Sequence, residues 1–212
     1  MRALVVPIKS FSAAKLRLAP VLDPAARARL ARRLAAGVLD AAGTLPRYVV
    51  CDDREVASFA REHGADVIWT PGLGLSGAVQ AAVAALAARG VDLVVVAHAD
   101  LPNVGVLDEL GEEGEVTLVP DLRADGTNVA VVPSGAGFCF SYGPGSFGRH
   151  RDEAARLGLR CQVVHDDRFA ADIDVPEDLV RLAIAPGLSD TDGPVRRPQA
   201  TADPCRDAAQ PG

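Results

Sequence analysis

The chain opens on a short β-branched run, residues 3–8 (ALVVPI), that passes directly into a polar and basic loop, KSFSAAKLRLAP, a pattern that predicts a strand followed by a loop. Asp23 before Pro24 reads as a helix cap with proline in the first turn, and Leu30, Leu34 and Val38 recur at helical spacing up to Gly43. There follow a strand at RYVVC, a helix over about residues 55–63, a strand at ADVIW, and the turn-rich TPGLGLSG that opens an Ala-rich helix running to Arg89. Residues 93–97 are continuously apolar, as expected of a strand covered on both faces, and are the candidate for the centre of the sheet.

Strand and helix alternate through the first hundred residues, which predicts an α/β fold whose mostly parallel sheet is flanked by helices and gathers ligands beyond the carboxyl ends of its strands. The second part changes character. EVTLVP, TNVAVVP and GFCFSY are three short strand-like segments between turns, which predict a small mixed β addition. A helix over 146–157, a strand at RCQVV and a terminal helix starting near Pro176 complete one domain, residues 1–185. From residue 186 to 212 the chain is Pro, Gly, Asp and Arg with almost no large apolar residue, and reads as a disordered tail.

At 212 residues and 49% hydrophobic, the chain can bury one substantial core. No apolar stretch approaches a membrane span or a signal-peptide core, so a cytoplasmic protein without a membrane partner is expected. Cys51, Cys139, Cys161 and Cys205 lack metal-site or disulfide spacing, and the first three read as small buried residues. The net charge of -6 hides an asymmetry: residues 1–50 carry nine basic and two acidic side chains, a balance of +7, leaving -13 for the remainder. Arg27, Arg29, Arg32 and Arg33 read as the wet side of a helix. Aromatic residues make up only 4% and interleave with no basic run, which argues against a nucleic-acid partner.

Five segments carry candidate chemistry. In the first loop, Lys9, Lys15 and Arg17 stand among small residues without the glycines of a Walker or dinucleotide loop; they suit a polyphosphate, and equally a solvated basic loop. Asp100 ends the central strand in HADLP, where a carboxylate calls for a cation; it also suits a helix cap. His98 beside it reads as structural. Asp172 and Asp174 lie two apart in an extended segment, so both project the same way and repel unless a counter-ion such as Mg2+ joins them with Asp100, although Asp174 could also cap the next helix. DGTN at 125–128 and GPGSFGRH at 143–150 complete the set. In the latter, Gly143 and Gly145 permit close backbone approach, and Ser146 starts a helix whose free N–H groups suit a small anion, or simply a capped turn.

Taken in order, PIKSFSAAKLRLAP, GLSGAVQAA, HADLP, PDLRADGTN, FSYGPGSFGRH and DIDVPEDL resemble the guanylyltransferases that make the phospho-acid precursor of the deazaflavin coenzyme F-420, over residues 1 to about 183. The resemblance implies a nucleotidyltransferase fold of the nucleotide-diphospho-sugar transferase (GT-A) type. It also implies transfer of GMP from GTP to phosphoenolpyruvate or 2-phospholactate with release of pyrophosphate. By the same resemblance Asp100, Asp172 and Asp174 hold Mg2+, and Lys15 is catalytic and lies near the acceptor acid. Thr127, Gly143 and Ser146 hold the acceptor acid. The first loop, with Lys9, Lys15 and Arg17, and the turn with Ser76 and Gly77 hold GTP. Family members usually carry Asn where this chain has Ser76, which puts the base-contact role of that turn in doubt. The attacking phosphate is already ionised, so no general base is required and none of the four histidines need be catalytic. The alternatives are a molybdopterin guanylyltransferase or cytidylyltransferase of the same fold, whose glycine-rich opening is absent here, and a non-catalytic nucleotide-binding module, which has no use for the acidic trio. Acceptor identity is left open between phosphoenolpyruvate, 2-phospholactate and 3-phosphoglycerate, and so is oligomeric state, a homodimer included.

Overall fold

The computed structural model describes residues 1–182, and the tail expected at 186–212 lies outside the described residues. Seven strands form one sheet: β1 (Arg2–Pro7), β2 (Arg47–Cys51), β3 (Asp66–Trp69), β4 (Leu93–Ala97), β5 (Val116–Pro120), β6 (Thr127–Pro133) and β7 (Cys161–Val163). Their order is β3-β2-β1-β4-β6-β5-β7, so the wholly apolar β4 is indeed the middle strand. β1 runs parallel to β2 and β4, and β2 to β3; β6 is antiparallel to both β4 and β5, and β7 is parallel to β5. The helices are α1 (Pro24–Asp40), α2 (Arg54–Glu62), α3 (Gly74–Ala87), α4 (Ser146–Arg156), α5 (Asp167–Ala170) and α6 (Pro176–Arg181).

The sheet separates two apolar layers. Alternate residues of β1 face opposite ways: Leu4 and Val6 pack with Ala35, Val38 and Val56 of α1 and α2, whereas Ala3 and Val5 pack with Val79, Val83 and Leu86 of α3 and, farther along, Phe147 and Ala154 of α4. Local signals fix the helix starts. Asp23 accepts a hydrogen bond from Ala26 N at 2.7 Å ahead of Pro24, and Asp53 accepts from Glu55 N and Val56 N. Arg27 departs from the expectation of a wet helix face: it is buried, with Nη1 on the Leu22 carbonyl at 3.1 Å. Cys51 is buried as expected, but Cys161 is half-buried and Cys139 exposed, because Cys139 points away between the inward-facing Phe138 and Phe140.

The predicted strand at GFCFSY does not form. Its alternation is present, with Phe138 and Phe140 buried, but the segment runs between α3 and α4 without a strand partner. Four consecutive N–H groups bond instead to helix side chains: Cys139 to Glu153 Oε1, Phe140 to Gln80 Oε1, Ser141 to His150 Nε2 and Tyr142 to Ser76 Oγ, at 2.9–3.1 Å. Periodicity reports which side chains are buried and not what satisfies the backbone, so it could not distinguish this strap from a strand.

Two junctions carry the fold toward its functional edge. β4 lies between the parallel β1 and the antiparallel β6, so the carboxyl ends of β1 and β4 and the start of β6 share one edge of the sheet. There His98 N donates to the Asn128 carbonyl at 2.9 Å, while buried Asn128 Nδ2 donates to the carbonyls of Phe169 and Ala170 at 3.1 and 2.9 Å. Asn128 thereby ties the sheet to the segment leading into Asp172. Asn128→Ala is expected to lower the free energy of unfolding by about 1–3 kcal/mol in urea, since it leaves the buried Phe169 carbonyl without that donor.

Candidate active site

The loop after β1 and the loop after β4 emerge side by side, and Lys15 joins them. Lys15 adopts a left-handed backbone conformation, φ 55°, uncommon for a residue with a Cβ and costing about 1–2 kcal/mol. Its Nζ donates to Asp100 Oδ2 at 2.6 Å and to the Ile173 carbonyl, and stands 3.7 Å from Asp174 Oδ1. Arg17 Nη1 donates to Asp174 Oδ2 at 2.9 Å, and Ile173 N donates to the Asp100 carbonyl at 3.3 Å. Lys15, Arg17, Asp100, Ile173 and Asp174, from three distant parts of the sequence, thus form one cluster.

Ile173 sits between the two acidic residues and explains their orientation. It is fully buried in a small apolar cluster with Leu18, Leu22, Leu30, Leu34 and Leu179, so Asp172 and Asp174 turn together to the opposite, wetter side, as their spacing predicted. The same cluster holds Leu18, and with it the loop bearing Lys15 and Arg17, against the acidic segment.

Charge is crowded here. Burial and the neighbouring Asp100 and Asp174 push the Asp172 carboxyl up to about 6. Burial opposes ionisation of Asp100 as well, but Lys15 overrides it and holds that carboxyl below its ordinary value. Burial pushes the His98 imidazole down, in keeping with a structural role. Asp100 Oδ1 is buried and has no hydrogen-bond partner. Among the described residues no three His, Cys, Asp or Glu side chains are arranged to hold a metal by themselves, and the cation at which Asp100 and Asp174 meet is the Lys15 ammonium.

The residues expected to hold an acceptor acid lie along the same edge. Thr127 begins β6 and is buried, as is Ser146 at the start of α4. Two contacts draw their loops together: Asp125 Oδ1 accepts from Gly145 N at 3.0 Å, and the Asp125 carbonyl accepts from Phe147 N at 3.0 Å. Asp121 organises the preceding turn by accepting from the N–H groups of Arg123, Asp125 and Gly126. Arg149 fastens the glycine loop from the other side, donating to the carbonyls of Pro144 at 2.6 Å and Ser141 at 2.8 Å. The N–H groups expected to be free at the start of α4 are partly occupied: Ser146 N donates to the Gly143 carbonyl and Phe147 N to Asp125. Thr127, Gly143 and Ser146 therefore share one corner, where hydroxyl groups matter more than a bare helix terminus.

On the other side of β1, a cleft is lined by Pro7, Ile8, Lys9, Cys51, Asp52, Thr70, Gly74 and Leu75. Thr70 Oγ1 in it is buried and unpartnered. Lys9 and the N-terminus of α3 open on this cleft. Ser76 and Gly77 follow in the first turn of α3, but Ser76 Oγ is engaged by Tyr142 N, so it braces the strap. Thr70 lies in none of the five segments, and Asn128, Arg149 and His150 lie in DGTN and GPGSFGRH with no role assigned to them there; only the spacing of Ser146 and His150, one helical turn apart, hinted that the latter faces the same corner.

Residues 1–192 match the family described as Guanylyl transferase CofC like. The chain belongs to that guanylyl transferase family. The phosphoenolpyruvate guanylyltransferase of Rubrobacter xylanophilus is 36% identical over 193 residues, covering 87% of this chain and 94% of the relative. A 3-phospho-D-glycerate guanylyltransferase of Phenylobacterium zucineum is 32% identical, covering 88% and 91%. The nucleotidyltransferase fold is seen again in a nucleotidyl transferase structure from Methanothermobacter thermautotroptrophicus, with a TM-score of 0.61 over 86% of this chain and 95% of that one at 16% identity. This guanylyl transferase has, among its described residues, no helix long and apolar enough to cross a membrane.

Proposed function

We propose that the protein transfers GMP from GTP to phosphoenolpyruvate, releasing pyrophosphate, as a step toward coenzyme F-420. The observation that carries this reading is the cluster of Lys15, Arg17, Asp100, Asp172 and Asp174 between a nucleotide cleft and an acceptor corner. The name of the relative from Rubrobacter xylanophilus supports phosphoenolpyruvate as acceptor.

An oxygen-only donor set that includes an unpartnered buried carboxylate oxygen fits a hard cation such as Mg2+. Asp100, Asp172 and Asp174 would hold it, with triphosphate oxygens and water taking the remaining positions, and it would neutralise charge on the α-phosphate and the leaving pyrophosphate. The protein supplies the rest. Thr127 and Ser146 donate hydrogen bonds to the acceptor acid, fixing its phosphate for in-line attack. An acceptor phosphate oxygen bonds to the α-phosphorus as the bond from that phosphorus to the β-phosphate bridge oxygen breaks. Lys15 and Arg17 stabilise the negative charge that develops, and the whole step is one of alignment and electrostatics.

Pyrophosphate release from GTP, measured with phosphoenolpyruvate, 2-phospholactate and 3-phosphoglycerate in turn, with and without Mg2+, tests the reading. The largest kcat/KM is expected for phosphoenolpyruvate, with loss of turnover when EDTA is added. No release with any of the three acids would overturn it, and preference for another acid would correct the acceptor.

A further inference from the structure

We infer that His150 is a positioning residue that commits the hydroxyl proton of Thr127 to the acceptor acid. The inference rests on the acceptor reading above and adds a residue that acts one shell behind it.

The argument follows from the two ring nitrogens. Ser141 N–H donates to His150 Nε2 at 2.9 Å, and a nitrogen that accepts a hydrogen bond carries no proton. The ring is fully buried among Phe138, Phe140 and Tyr142, and burial, with the Arg149 charge beside it, pushes its pKa down to about 4, so the imidazole is neutral near pH 7. Its single proton therefore resides on Nδ1, which lies 3.0 Å from Thr127 Oγ1. That contact has one polarity: Nδ1–H donates and the threonine oxygen accepts. The hydroxyl proton cannot then point back at the imidazole, and among the described residues nothing else accepts it.

A threonine hydroxyl is ordinarily ambivalent, able to donate or accept. Held this way one lone pair is taken and its proton is left for another acceptor, such as a phosphate or carboxylate oxygen. Ser146, one turn before His150 on α4, faces the same corner. The strap fixes the tautomer, because Ser141 N–H belongs to the row of backbone donors satisfied by α3 and α4. His150 thus links the conformation of residues 139–142 to the polarity of the acceptor site.

Two measurements test this on the full chain. In wild-type protein labelled with 15N-histidine, the His150 resonances at pH 7 are expected to show a protonated Nδ1 and a bare Nε2; the opposite tautomer, or a doubly protonated ring, would overturn the inference. In kinetics, Thr127→Val is expected to raise KM for phosphoenolpyruvate about ten- to a hundredfold, the loss typical of one hydrogen bond to a charged group, with KM for GTP nearly unchanged. An unchanged acceptor KM in that variant would refute the acceptor corner itself. His150→Asn, which retains an N–H near the Nδ1 position, is expected to raise acceptor KM less than His150→Leu. Added to Thr127→Val, His150→Leu is expected to raise it no further, because both remove one pathway. Additive effects of the two changes would mean that His150 does not act through Thr127.

Discussion

Replacing Lys15 with methionine is expected to lower kcat about a hundred- to a thousandfold, the range found when one preorganised charge-stabilising group is removed from a transition state. Methionine keeps an unbranched stem in a site where the lysine side chain is only 9% exposed, so the packing survives and the charge is lost. The change falls hardest on Asp100. Its Oδ1 already has no partner, and without Lys15 its Oδ2 loses the 2.6 Å ion pair as well, so burial would raise the carboxyl pKa against only the weaker pull of His98 and of its own backbone. Stability is expected to fall by up to about 3–5 kcal/mol, the cost of a buried charge stripped of its partner. Adding Asp100→Asn should recover most of that stability while leaving turnover low, as urea denaturation and pyrophosphate release together would show. Wild-type kcat in Lys15→Met would remove this lysine from the mechanism.

Asp172→Asn is expected to separate stability from activity in the opposite direction. The carboxyl of Asp172 is pushed up to about 6, so between about pH 4 and 6 the folded protein binds protons that the unfolded chain releases. Its ionisation therefore costs the folded state, and the cost is complete above pH 6. An asparagine avoids it: the variant should be more stable than wild type by about 1–2 kcal/mol at pH 7, after discounting for solvent screening, and no more stable below pH 4. His150 works against Asp172 over nearly the same window. Its pKa is pushed down to about 4, so its contribution to stability grows as pH rises from about 4 to its ordinary value near 6.5. In wild type these slopes oppose each other, and in Asp172→Asn the rise due to His150, with that of His98, whose pKa burial also pushes down, should remain. The gain in stability should come with at least a hundredfold loss of kcat. A variant no more stable than wild type at pH 7 would show that the three carboxylates do not repel one another as their crowding requires.

Much of this was legible in the sequence because the relevant signals are local. The cap at Asp23 with Pro24, the apolar run of β4 and the paired facing of Asp172 and Asp174 each depend on a few adjacent residues, and each appears in the structure where it was expected. What could not be read were the partners. Lys15 was one basic residue among several in its loop; nothing in its neighbours says that its ammonium bridges Asp100 and Asp174, since that follows from β1 and β4 being adjacent and from Ile173 being buried. Ser76 Oγ accepts from Tyr142 N across the gap between α3 and the strap, a bond that no neighbour of Ser76 in the sequence announces. The roles of Asn128 and His150 were missed for the same reason: their importance lies in bonds to residues 9 to 42 positions away.

Because residues 139–142 depend on helix side chains for their backbone donors and owe nothing to a neighbouring strand, the acceptor side has its own adjustment screws. Swapping an acceptor atom on α3 or α4 can shift that stretch, and the glycines that follow it, while the sheet and the Asp100, Asp172 and Asp174 carboxylates keep their register. A lineage could in this way move between small phospho-acids of different shape by altering a handful of helix positions, leaving the machinery for handling the nucleotide intact.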